Sequence, residues 1–230
     1  MYQLSVKECL STGWRTFTSR PWLFIVAGAL LFAISAIADI PRAVSKGHEG
    51  AEGVALWIIT FLISSIVSFL VSMGKTAFYL KSHDAAESAK LADLWHPKPF
   101  LKYAIVTILS GLATFIGLIL LIVPGIIVGI MFGFSQYLVI EKHLSPMEAL
   151  RESARLTHGN RWNLFLLGLA LLGINILGFC ALFVGLLVTL PISTIAVIHA
   201  YRLLSSTAAS EPVPASVSAS TDAVSEAAVE

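Results

Sequence analysis

The residues that could do chemistry are scattered. Six histidines, His48, His83, His96, His143, His158 and His199, are the first candidates for metal ligation or proton transfer. No two stand at a ligand spacing such as HxxxH, and no paired carboxylates, GxSxG or phosphate-binding glycine loop accompanies them. They read as interfacial histidines, and His199, near the end of the last apolar stretch, as interfacial or hydrogen-bonded. Gln136 and Asn175, amides inside apolar stretches, read as hydrogen bonds between helices. Arg151 and Arg155 are four apart and share a helix side, where they could meet lipid phosphate or a docking protein. The expectation is a non-enzyme with no catalytic residue, no cofactor, no metal and no nucleic-acid partner.

The elements that must position these groups are apolar. The chain of 230 residues is 57% hydrophobic and 13% charged, against about 25% charged in a soluble domain. Residues 22–38, 53–74, 103–140 and 162–201 contain no Asp, Glu, Lys or Arg. The first two have the length of one span, about 20 residues. The other two are too long to cross once and must fold back as hairpins. In 103–140 the pair Pro124-Gly125 marks the turn; in 162–201 it falls near Gly178 to Gly185. The fold class is therefore all-α, a polytopic membrane bundle of about six helices with cytoplasmic amphipathic helices. The spans are about 22–39, 54–74, 102–122, 125–141, 162–180 and 184–202. They make up a membrane domain over 1–203, followed by a tail, 204–230, that composition marks as disordered and cytoplasmic.

Basic residues set the orientation. In a six-span arrangement Lys7, Arg15, Arg20, Lys75, Lys81, Lys90, Lys98, Lys102, Lys142, Arg151, Arg155, Arg161 and Arg202 fall on one side, and only Arg42 and Lys46 on the other. Both termini are then cytoplasmic, in a bacterial inner membrane. Asp39 and Glu141 sit at span ends, where both reach water.

Two cytoplasmic helices carry start signals. Ser145, Pro146 and Glu148 form a capping box with a first-turn proline, and Gly159 is the stop. Ser5 and Glu8 repeat the box, and 5–37 aligns with 145–177 without a gap, matching Ser5/Ser145, Glu8/Glu148, Arg15/Arg155 and Trp22/Trp162 among others. We read this as an internal repeat in parallel orientation. A weaker segment, 84–96, starts at Asp84 and ends at Pro97. All three are expected to lie along the inner leaflet, apolar side down.

Small residues mark packing faces in lipid, where burying apolar surface gains little. Gly125, Gly129 and Gly133 make two overlapping GxxxG steps, and Ser64, Ser68 and Ser72 repeat that spacing on the second span.

Residues 123–165 carry a further signal: the Pro124-Gly125 turn, Glu141 closing a span, a helix with Ala149, Leu150 and Ser153, then Trp162 opening the next span. This pattern resembles the membrane domain associated with glycerophosphoryl diester phosphodiesterases and its bacterial inner-membrane relatives. The resemblance implies a six-helix inner-membrane protein. It carries over no catalytic residue, because catalysis in the fused proteins belongs to a soluble barrel of typically about 250 residues. The expected function is a non-enzymatic module that docks a cytoplasmic or membrane partner or organises lipid. The alternative is a small transporter or channel for a neutral or apolar solute.

Overall fold

The computed structural model describes residues 4–45, 51–84, 99–181 and 184–210. Its helices are α1 (Val6–Ser19), α2 (Pro21–Ser45), α3 (Ala51–Asp84), α4 (Phe100–Leu120), α5 (Ile122–Phe132), α6 (Ser135–Lys142), α7 (Pro146–Thr157), α8 (Arg161–Cys180) and α9 (Val184–Ser210). No strand occurs among the described residues. Among the described residues five stretches are long and apolar enough to cross a membrane: Val54–Asp84, Phe100–Leu120, Ile122–Lys142, Arg161–Cys180 and Gly185–Ala208. A sixth arises if α1 and the start of α2 count together, although the chain bends by 94° between them.

Local chemistry fixes the two short helices. Ser5 is extended and accepts the Glu8 N–H at 3.4 Å. Ser145 accepts the Glu148 N–H at 3.4 Å, while the Glu148 carboxylate takes the Ser145 N–H at 2.9 Å. Each bond satisfies a donor that the first helical turn leaves unpaired. Pro21 and Pro146 open α2 and α7, where a missing N–H costs nothing. Gly159 follows α7 at φ 84°, a left-handed conformation that glycine adopts without a Cβ clash.

The spans pack as three antiparallel hairpins, α2 with α3, α4 with α5, and α8 with α9. Their buried core gathers at one end of the bundle, around Phe24, Phe78, Tyr103, Leu138, Ile198 and Tyr201. Phe24 joins the first hairpin internally, stacking on Tyr79 at 5.9 Å and meeting Phe78 edge-on. Away from that end the outer surface is almost continuously apolar, from Val54 to Ile66 on α3 and along α4 to Val123. Soluble monomers rarely expose contiguous apolar patches above a few hundred Å², whereas lipid solvates such a surface at no cost.

Several expectations need correction. The turn of the second hairpin is at Leu121, which is extended (φ −165°, ψ 147°), not at Pro124-Gly125. Pro124 stands in the first turn of α5, where no donor is missed. The fourth span is broken, with α5 ending at Phe132 and α6 starting at Ser135. The second span runs on to Asp84, so Lys75, Lys81 and His83 belong to its helix. The last helix continues to Ser210 rather than giving way at 204, because Leu204 is still buried against the core. The apolar sides of α1 and α7 also do not face a leaflet. Cys9, Gly13 and Phe17 of α1 are buried, with α1 running along α9, and α7 buries Ala149, Leu150, Ser153 and Leu156. His48, His96, the 84–96 segment beyond Asp84, the tail beyond Ser210 and the Asp39 side chain lie outside the described residues.

Candidate functional site

Three helices, α3, α6 and α9, bring their C-terminal ends together, and their polar residues converge there. Arg202 of α9 sits between two carboxylates. Its Nε donates to Asp84 Oδ1 at 2.9 Å, a second nitrogen donates to Asp84 Oδ2, and Nη1 donates to Glu141. The other Glu141 oxygen accepts from Tyr201 Oη at 2.6 Å. Tyr201 itself is fully buried and stacks on Tyr137 at 5.6 Å. A guanidinium suits this post, because its planar fork keeps its charge and reaches two carboxylates at once.

A histidine pair extends the network. His83 Nε2 lies 3.0 Å from His199 Nδ1, and His83 Nδ1 lies 3.3 Å from Asp84 Oδ1. With His83 Nδ1–H assigned toward the carboxylate, its Nε2 accepts from His199 Nδ1–H. His199 Nε2 is buried without a hydrogen bond, and Glu8 of α1 stands 3.9 Å from it. This chain could hold and pass a proton. Among the described residues no Ser, Thr or Cys nucleophile joins it, and no three His, Cys, Asp or Glu side chains are grouped to hold a metal.

A second joint lies deeper. Tyr103 Oη of α4 bonds Ser72 at 2.8 Å and Gln136 Oε1 at 3.2 Å, tying α3, α4 and α6 together. Asn175 donates to Ser193 at 3.0 Å, joining α8 to α9.

The small-residue faces divide by role. Gly125 is pressed against α4: a Cβ there would stand 2.6 Å from Leu118 N. Gly129 faces Thr114, but Gly133 lies at the α5–α6 break, where a Cβ would meet carbonyls of its own preceding turn. The true partner of Gly125 is Gly117, whose Cβ would come within 2.9 Å of Gly125 Cα. On α3, Ser64 is buried, Ser72 reaches Tyr103, and Ser68 lines a cavity between α2, α3 and α9.

The surface residues of α7 and α8 point outward. Arg151 is exposed, Arg155 chelates Glu152 through two bonds of 2.8 Å, and Trp162 is 69% exposed while stacking on Phe165. The bond to Arg155 holds the Glu152 carboxyl below its ordinary range, and the capping bonds to Ser145 do the same for Glu148.

The stretch 56–208 contains all of this except α1 and α2, and it matches the family described as "protein of unknown function (DUF975)". The chain belongs to that family. It is also 26% identical to the uncharacterized protein Rv2560 of Mycobacterium tuberculosis, over 87% of this chain and 69% of the relative. The uncharacterized protein Mb2590 of Mycobacterium bovis matches with the same identity and coverage. No solved structure matches. Family membership thus agrees with a multi-helix protein bearing apolar spans and assigns no chemistry to the cluster at their ends.

The cluster was hidden from the sequence because its partners are far apart in the chain. His83 and His199 are 116 residues apart, and Arg202 is 118 from Asp84 and 61 from Glu141. The available signal was depth: all five stand at the same end of alternate spans, with opposite charges among them.

Proposed function

We propose that this chain is a non-enzymatic, multi-pass protein of a bacterial inner membrane, with both termini cytoplasmic, which presents α7 and its surroundings as a docking face for a protein partner. The observation that carries the reading is how α7 is held. Buried Ser153 donates to Met131 O at 2.7 Å and accepts from Phe134 N–H at 3.2 Å, bonding α7 into the α5–α6 break. The opposite side of the same helix carries Arg151 and Arg155, so a charged surface is fixed in place rather than free to tumble. The cluster around Arg202 supports a structural role, since its carboxylates are already occupied. The serine cap and the short-helix-into-span order shared by α1–α2 and α7–α8 support an internal duplication, and the layout of 123–165 supports the likeness to phosphodiesterase-associated membrane domains.

The transport reading has weaker support. A groove of 480 Å³ between α4 and α5 is lined by Thr107, Ser110 and Thr114. Their hydroxyls each bond a carbonyl of their own helix, at 2.8, 3.1 and 2.8 Å, which leaves less for a solute.

The test is affinity purification in mild detergent of the wild type and of Arg151→Glu/Arg155→Glu. The expected result is loss of a specific co-purifying protein from the variant with thermal stability nearly unchanged, since both side chains are at the surface. Identical recovery of every partner contradicts the reading.

A further inference from the structure

Between α2, α3 and α9 lies a cavity of 720 Å³, within the range of about 300–1,000 Å³ that holds small ligands. Its walls are mostly apolar, including Leu31, Phe32, Leu187 and Leu190. Phe32 and Leu190 are 74% and 51% exposed, so its mouth faces outward, where acyl chains surround the bundle. Open space extends to α2: a Cβ built on Gly28, another wall residue, would meet no atom within 4 Å.

One wall residue is a cation. Lys75 lies on α3, and Ser68, Ser72, Lys75 and Tyr79 line the cavity on successive turns of that helix. Among the described residues no carboxylate pairs with Lys75, although Asp84 and Glu141 pair with Arg202 nearer the helix ends. A cation set back within a span is costly unless a counter-charge or water meets it. The opposite wall adds an acceptor. Pro191 stands inside α9 and has no N–H, so the Leu187 carbonyl loses its helical donor.

We propose that this cavity binds a membrane phospholipid of the anionic class, with its phosphate on Lys75 and one acyl chain along Leu31, Phe32 and Leu190. The inference goes beyond partner docking and rests only on the chain being embedded in a bilayer. An apolar slot open to lipid selects a chain, and an unpaired ammonium at its polar end selects a negative headgroup over a zwitterionic one.

The experiment uses the full chain in nanodiscs of phosphatidylcholine doped with phosphatidylglycerol, with retained lipid counted by native mass spectrometry after release. Wild type is expected to retain phosphatidylglycerol in preference to phosphatidylcholine. Lys75→Gln should lose about tenfold of that preference, the scale of one charge-assisted hydrogen bond. Lys75→Arg should keep most of it, and Gly28→Leu, which fills the open space, should reduce retention of both lipids. Lys7→Gln, on the exposed side of α1 and outside the cavity lining, should change nothing. The proposal is overturned if Lys75→Gln keeps the preference or if Lys7→Gln loses it equally, since attraction would then be general. It is likewise overturned if Gly28→Leu leaves retention intact, or if the retained species is a free fatty acid or a protein helix. Should Lys75→Gln fail to fold, Gly28→Leu against Lys7→Gln still decides.

Discussion

The arms α1–α2 and α7–α8 reach the bundle in matching ways but are fastened by different chemistry. Each begins at a serine cap and leads into a span after a short break. Gly13 in the first arm and Ser153 in the second are 140 residues apart, the offset that aligns the two segments. Gly13 is seated by close approach: a Cβ there would lie 2.7 Å from Ile192 O, a backbone atom that cannot swing away. Ser153 is seated by two hydrogen bonds to a break in the facing span. A continuous helix such as α9 has no free donors to offer, so only a bare surface lets α1 close on it. The α5–α6 break exposes an N–H and a carbonyl, and a hydroxyl there answers both.

That contrast is broken most forcefully at Gly13. Gly13→Leu must push α1 off α9, and overpacking against backbone should cost about 3 kcal/mol, read as a large fall in melting temperature in detergent. Ser153→Ala should cost about 2 kcal/mol, because the buried Phe134 N–H loses its partner without any steric strain. Similar modest losses from both variants would mean that the two joints do not differ as described.

The caps give a finer and smaller distinction. Ser145→Ala should cost about 1 kcal/mol and Ser5→Ala less, because the α7 cap carries the reciprocal carboxylate bond, whereas Glu8 stands toward His199. Since the bonds to Ser145 hold the folded Glu148 carboxyl below the ordinary glutamate range, its stabilisation is complete above that range and fades as pH falls through the lowered folded value. Hydrogen exchange in the first turn of α7 should therefore accelerate in acid, and that acid step should be absent in Glu148→Gln.

Much of the architecture was legible because lipid writes strong local signals. Long uncharged runs announced the five or six helices long and apolar enough to cross a membrane, and the Ser145–Glu148 spacing announced the start of α7. Leu121 gave no sign that it would hold the turn, since any apolar residue can be extended and Pro124 is equally content one turn into a helix. Gly133 shared a spacing with Gly125 and Gly129 but fell at a break, where face arithmetic no longer applies. The Arg202 cluster and the α2–α3–α9 cavity depend on helices meeting from distant parts of the chain, and Lys75 in isolation reads simply as one basic residue among many near a span end.

In the proposed arrangement the spans carry α1 and α7 on one side of the membrane and the α8–α9 turn on the other. Cys180 is exposed beside that turn and Cys9 is buried in α1, so a membrane-impermeant maleimide applied to intact spheroplasts separates the two ends. Modification of Cys180 from outside, with Cys9 untouched, is the result this arrangement predicts. Protection of Cys180 until the membrane is opened would contradict it.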